Sequence, residues 1–223
     1  PVADDDQGFT IDEDTVKEGQ IIATDVDGDD LTYTVVEQPE NGTLEFNSET
    51  GEYTYTPNKD FNGDDHFKVT VSDGQGGEVS VEVPIIVTPV NDAPVADDDQ
   101  GFTIDEDTVK EGQIIATDID GDDLVYALVN QPQNGRLLLD SKTGEYTYTP
   151  NKDFNGEDHF TIIVLDRNGG EVIVEVPIVV NPVNDAPVAE AEQGFTIDED
   201  TVKEGQIEAT DVEGDDLTYA LVN

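Results

Sequence analysis

The sequence predicts an all-β chain built of tandem seven-stranded sandwiches joined end to end, and three observations carry that prediction. The chain repeats every 93 residues without an insertion: Pro1 recurs as Pro94 and Pro187, and the first two copies are identical at 72 of 93 positions. Apolar and polar residues alternate through most of each copy, the period-2 signal of a half-buried strand, and no window sustains a 3.6-residue period. Gly- and Asn/Asp-rich turns separate the alternating runs. A period this long exceeds the common solenoid units and matches one small domain per repeat. The chain therefore divides into residues 1–93, 94–186 and an incomplete third repeat, 187–223, which supplies only first strands.

The strands of repeat 1 follow in order. Gly8–Ile11 and Gln20–Thr24 open the repeat. Leu31, Tyr33 and Val35 share one face of the next run, and Thr43–Phe46 follows the Asn41-Gly42 turn. Tyr53 and Tyr55 alternate with Thr54 and Thr56, and this equal parity marks the two tyrosines as core residues. Phe67, Val69 and Val71 share a face, and Val79, Val81, Val83, Ile85 and Val87 form the last strand. Pro84 cannot donate to a ladder, which predicts an edge or a bulge there. Seven short strands in 93 residues imply a sandwich of immunoglobulin-like type. Two prolines in each linker, Pro89 and Pro94, then Pro182 and Pro187, make the connectors short and semi-rigid. Domains joined in this way form a rod.

Composition narrows the function. Asp and Glu number 54 against 9 Lys and Arg, a formal net charge of −45. Such a field repels nucleic acid and anionic membrane surfaces. There is no Cys to staple the domains, and no apolar run approaches the roughly 18 residues that span a membrane. His66 and His159 lie beside the inward Phe67 and Phe160, so parity turns them outward. With no Cys and no second histidine nearby, neither builds a zinc site or a nucleophile–base pair. No catalytic residue is assigned, and nothing points to an enzyme.

The acids fall in short clusters between strands: Asp12-Glu13-Asp14, then Asp25-Val26-Asp27-Gly28-Asp29-Asp30, then the linker pair Asn91-Asp92. Calcium takes six to eight oxygen ligands, and alternating Asp carboxylates with an Asn carbonyl supply them without His or Cys. The helix-flanked calcium loop does not fit, because Gly28 falls at position four and Val36 at position twelve. Solvated turns are the alternative, most directly for Asp4-Asp5-Asp6, which becomes Glu190-Ala191-Glu192 in the third copy.

In sequence order these segments resemble cadherin repeats. Glu13-Asp14 with Gly19 is similar to the Glu-Asn near the start of such a repeat, and Ala23-Thr24-Asp25-Val26-Asp27 to its A-T-D-x-D segment. Asp140-Ser141-Lys142-Thr143-Gly144 matches D-x-x-T-G, Val71-Ser72-Asp73-Gly74 resembles A-x-D-G, and Asn91-Asp92-Ala93-Pro94 resembles the N-D-N-A-P linker. The likeness covers the whole repeat and is nearest to cadherin-like immunoglobulin-type repeats of large bacterial surface adhesins. One departure stands out. The L-D-R-E segment is replaced by Pro57-Asn58-Lys59-Asp60-Phe61-Asn62-Gly63-Asp64-Asp65, so the loop ligand is one of Asp60, Asp64 and Asp65, with Asp65 the candidate.

The resemblance implies calcium between domains. The implied ligands are Glu13, Asp25, Asp27, Asp65, Asp73, Asn91 and Asp92 of repeat 1, and Glu106, Asp118, Asp120, Asp158, Asp166, Asn184 and Asp185 of repeat 2 and its linker, with Asp211 of the third. Glu213 replaces the Asp found at Asp27 and Asp120, which predicts a weaker or incomplete second junction.

One asymmetry separates the copies. The outward Thr32, Thr70, Ser72 and Ser80 of repeat 1 become Val125, Ile163, Leu165 and Ile173. An exposed apolar sheet of this kind is a candidate contact surface, for lateral self-association or for a host or matrix partner. The sequence therefore reads as calcium-rigidified spacer repeats of a secreted or surface-displayed bacterial adhesin or fibre. The alternative is a module that recognises a glycan or protein through its loops or the repeat-2 sheet.

Overall fold

The computed structural model describes residues 1–4 and 6–222, so Asp5 of the Asp4–Asp6 run lies outside the described residues. All of its regular elements are strands, and among the described residues no helix is long and apolar enough to cross a membrane. The chain forms two compact units, Pro1–Asp92 and a second that begins at Ala93.

The first unit contains β1 (Val2–Ala3), β2 (Phe9–Asp12), β3 (Lys17–Gln20), β4 (Ala23–Thr24), β5 (Thr32–Glu37), β6 (Gly42–Phe46), β7 (Glu52–Pro57), β8 (Gly63–Ser72) and β9 (Glu78–Thr88). One sheet has the order β2-β9-β8-β5 and the other β3-β7-β6, with β1 and β4 paired beside them. β2 runs parallel to β9, and the other pairs are antiparallel. The predicted Gln20–Thr24 strand is in fact two pieces, β3 and β4. Its residues Ile21 and Ile22 are the crossing between sheets, and Ile21 is 1% exposed there.

Alternation sets the core. Phe67, Val69 and Val71 from β8, Val81, Val83, Ile85 and Val87 from β9, and Tyr53 and Tyr55 from β7 are buried between the sheets. Tyr53 meets Phe67 edge-on at 5.1 Å, a favoured arrangement of ring quadrupoles. Each fully buried side chain of this size contributes about 1.5–3 kcal/mol, and together they hold a disulfide-free sandwich.

Pro84, where an edge or a bulge is expected, lies in a strand that is an edge over part of its length. β9 lies between β2 and β8. The ring is tolerated because the ladder with β2 begins one residue later, at Phe9 opposite Ile85. Gly8 runs past Pro84 at that point, where an added Cβ would lie 2.8 Å from Pro84 Cγ. β9 is an edge only up to its proline.

The second unit repeats this plan with β10 (Val95–Ala96), β11 (Phe102–Asp105), β12 (Lys110–Gln113), β13 (Ala116–Thr117), β14 (Val125–Asn130), β15 (Gly135–Leu139), β16 (Glu145–Pro150), β17 (Gly156–Leu165) and β18 (Glu171–Asn181). Among the described residues, the incomplete repeat adds the paired β19 (Val188–Ala189) and β20 (Ala209–Thr210).

Candidate metal centre

Carboxylates gather in groups in both units, assembled from turns that the sheets hold in register. The first group of unit 2 joins the turn after β11, the loop before β17 and the segment after β18. Asp107, Asp153 and Asp185 each bring a carboxylate oxygen within 4.8 Å of the others. Asp107 and Asp153 have left-handed backbones, with φ of +57° and +56°, a conformation that Asp and Asn tolerate better than other non-glycine residues. The turns are tied together, since Asp153 N–H donates to Asp107 Oδ1 at 3.3 Å. Asp14, Asp60 and Asp92 form the same trio in unit 1, with Asp60 N–H donating to Asp14 Oδ1 at 3.2 Å.

Beside this trio, Glu106 is 2% exposed. Its Oε1 accepts Val183 N–H at 2.6 Å, while its Oε2 is buried with no hydrogen-bond partner. Asp185 Oδ2 and Glu213 Oε1 are likewise buried and unpartnered, and Asp185 N–H donates to Glu213 Oε2 at 3.2 Å. Desolvation, then the charges of Asp153 and Asp107, hold the Asp185 carboxyl above its ordinary range. A buried carboxylate oxygen without a donor is costly, and such oxygens beside an acidic trio call for a cation. The donor set is all oxygen, which suits calcium or magnesium and not a thiolate- or imidazole-seeking metal.

The second group of unit 2 is Asp118, Asp122 and Asp166, with carboxylate oxygens within 4.8 Å. Asp166, 2% exposed, spends Oδ1 on the N–H groups of Asn168, Gly169 and Gly170. Gly170 is required here, because an added Cβ would stand 2.1 Å from Asp166 Oδ2 and 2.6 Å from Ala93 Cα. Asp118 Oδ1 accepts Asp122 N–H at 3.1 Å, and its Oδ2 is buried without a partner. In unit 1 the equivalent carboxylates close their own turns: Asp25 Oδ1 accepts the N–H groups of Asp27 and Asp29, and Asp73 Oδ1 those of Gln75 and Gly77. The backbone N–H group of Gln75, with that of Gly77, holds the Asp73 carboxyl below its ordinary value.

The structure disposes of the predicted ligands unevenly. Glu13 and Glu106 are buried and reach the linkers, where Val90 N–H donates to Glu13 Oε1 at 2.6 Å. Asp92 and Asp185 join the trios, while Asn91 and Asn184 are exposed and turn their amides onto the next residue's carbonyl. Asp27 and Asp120 are exposed. Asp211 Oδ1 accepts the N–H groups of Glu213 and Asp215 in its own turn.

The structure places Asp65 and Asp158 outside the acidic trios. Asp65 is 6% exposed and its two oxygens accept Glu40 N–H, Asn41 N–H, Tyr55 Oη–H and His66 N–H. Asp158 accepts Gln133 N–H, Asn134 N–H, Tyr148 Oη–H and His159 N–H. These carboxylates hold the β5–β6 and β14–β15 connections to the core, and they belong to neither trio. Asp60 and Asp153 are the loop residues that join the acidic groups. Asp14, Asp107 and Asp122 went unassigned in the sequence; a left-handed backbone is what aims Asp14 and Asp107 inward, and no spacing rule marks it.

Residues 1–86 and 91–179 match the model of the bacterial Ig domain family. The chain belongs to that family. These bacterial Ig domains are 30% identical over 176 residues to human Protocadherin Fat 1, covering 71% of this chain and 4% of that protein. They are 26% identical to mouse Extracellular matrix organizing protein FRAS1, covering 77% of this chain and 5% of that one. The chain thus spans less than a tenth of the curated relatives it matches. Among solved structures, human CDH23 EC21-23 aligns with a TM-score of 0.57 at 17% identity, over 94% of this chain and 84% of that one. The Protocadherin GammaB4 extracellular domain aligns at 0.58 and 19%, over 95% and 38%. The bacterial Ig domains share the cadherin-like sandwich with both.

Proposed function

We propose that this chain is a calcium-stiffened, non-catalytic spacer of a secreted or surface-displayed bacterial adhesin or fibre. The observation that carries the reading is the set of buried, unpartnered oxygens on Glu106, Asp185 and Glu213, beside the Asp107–Asp153–Asp185 trio. The linker residue Asp185 there faces Glu106 of the second repeat and Glu213 of the third, so one ion would tie a linker to the repeats on both of its sides. Neutralising these acids converts repulsion into a stiff joint. Extracellular calcium modules bind at about 10⁻⁴–10⁻³ M, the range expected here. Relatives whose names place them in the extracellular matrix or in an extracellular domain support the location.

The test is small-angle scattering and thermal melting with calcium and then with excess chelator. Calcium should raise the melting temperature and narrow the distribution of chain dimensions. Identical curves in both conditions would remove the calcium reading.

A second reading rests on the repeat-2 sheet. Val125 faces Leu165 and Ile163 faces Ile173 across adjacent strands, where repeat 1 pairs Thr32 with Ser72 and Thr70 with Ser80. Ile173 is 62% exposed and the other three are half-buried. Such a face favours partner binding or lateral association. Sedimentation of Ile163→Thr/Ile173→Ser against the parent tests it, since identical monomeric profiles would sink it.

A further inference from the structure

A lysine sits on the loop carboxylate of each trio. Lys152 Nζ lies 2.8 Å from Asp153 Oδ1 and 2.7 Å from Oδ2, and Lys59 Nζ lies 2.8 and 2.6 Å from the two oxygens of Asp60. Adjacent residues of an extended chain point to opposite sides. Here the left-handed φ of Asp153 and Asp60, +56° and +55°, breaks that alternation and brings ammonium and carboxylate together. The Lys152 side chain is 81% exposed and that of Asp153 only 22%; for Lys59 and Asp60 the figures are 83% and 17%. The ammonium therefore reaches in from solvent on a free stem, and it covers both oxygens that a metal would need.

We infer that Lys59 and Lys152 are built-in counter-cations that hold the loop carboxylates until a divalent ion displaces them, and so set how much calcium the joints require. The inference rests on the calcium reading above and adds its regulation. Of the chain's 9 basic residues against 54 acids, these two stand at the acidic trios. The buried Glu106 Oε2 and Asp185 Oδ2 remain without partners with the lysine in place. A single ammonium therefore satisfies the exposed side of the group and leaves the buried side to an ion with more coordination sites. Exposed ion pairs of this kind are weak enough for such an ion to break, and their worth corresponds to roughly a 1.5- to 5-fold change in affinity.

Calorimetric titration with calcium chloride tests this on the chain itself in four forms. Lys59→Gln/Lys152→Gln should bind calcium about two- to five-fold more tightly than the parent. Lys59→Arg/Lys152→Arg should bind more weakly, because the planar guanidinium grips a carboxylate with two parallel bonds. Lys142→Gln/Lys203→Gln removes the same charge elsewhere and should shift affinity less than the first pair. Unchanged or weaker binding by the Gln pair, tighter binding by the Arg pair, or an equal shift in the control pair would each overturn the inference. If all four forms are folded by circular dichroism and none takes up calcium, the spacer reading of the previous subsection fails, and the lysine device with it.

Discussion

Tyr55 donates its hydroxyl to Asp65 Oδ2 at 2.8 Å inside the first unit, and Tyr148 repeats the bond to Asp158 at 3.0 Å in the second. Burial first, and then that bond, hold both phenols well above their ordinary pKa. The pair links the centre of one sheet to the start of a long strand of the other, and two turn N–H groups close on the same carboxylate. Asp65→Asn exchanges an oxygen acceptor for an amide donor amid four donors. It should destabilise the first unit by about 3 kcal/mol while leaving calcium affinity unchanged, measured by urea denaturation and calorimetric titration. A loss of calcium binding in a variant that remains folded would return Asp65 to the ligands.

Glu106 supplies the opposite case. Its Oε2 is buried and unpartnered, so its charge costs stability in the metal-free protein. Glu106→Gln should raise the melting temperature in chelator, by the equivalent of about 1–3 kcal/mol, and shrink the rise that calcium brings. A lower melting temperature in chelator would show that the carboxylate is satisfied without metal.

The turn after β15 carries a built-in pH comparison. Asp140 Oδ1 accepts Lys142 N–H at 2.8 Å and Thr143 N–H at 3.3 Å, and those bonds, the Lys142 one first, lower its pKa from 3.8. Repeat 1 has Asn47 there, accepting Glu49 N–H and Thr50 N–H. A depressed carboxyl adds stability that is complete above its unfolded value and is lost as the pH falls below 3.8 through its folded value. Asp140→Asn should therefore lose less melting temperature than the parent between about pH 5 and pH 2.5. Parallel curves would exclude the effect.

Arg167 occupies a left-handed position, φ +70°, where repeat 1 has Gly74 at +71°. Arg167→Gly should stabilise the second unit by up to about 1 kcal/mol, the relief of backbone strain being partly offset by a freer unfolded chain. Differential scanning calorimetry reads this directly, and a loss of more than that amount would assign the arginine a stabilising contact.

The strands were legible because alternation is a property of nearest neighbours: Phe67, Val69 and Val71 point inward by parity alone. Glu13 and Asp92 were legible through their place in the repeat. What escaped depends on geometry that spacing does not encode. Asp60, Asp64 and Asp65 look equivalent in a row, yet a left-handed turn sends Asp60 to the acidic trio and the pleat sends Asp65 to Tyr55. Pro84 is a related case: it signals an edge or a bulge, but not that β9 is open only up to the proline and paired with β2 beyond it.

The near-identity of the two copies also bears on how the chain finds its own pairings. Adjacent domains this alike can exchange strands during folding, which is a known hazard of repeat proteins. The cores, being almost the same, would accept the exchange. The outer ladders would not accept it equally: β5 brings Thr32 and Thr34 to Ser72 and Thr70, while β14 brings Val125 and Ala127 to Leu165 and Ile163. A swapped pair would set hydroxyls against aliphatic side chains on both sheets. The face on which the copies differ most thus acts as an address, telling each strand which copy it belongs to.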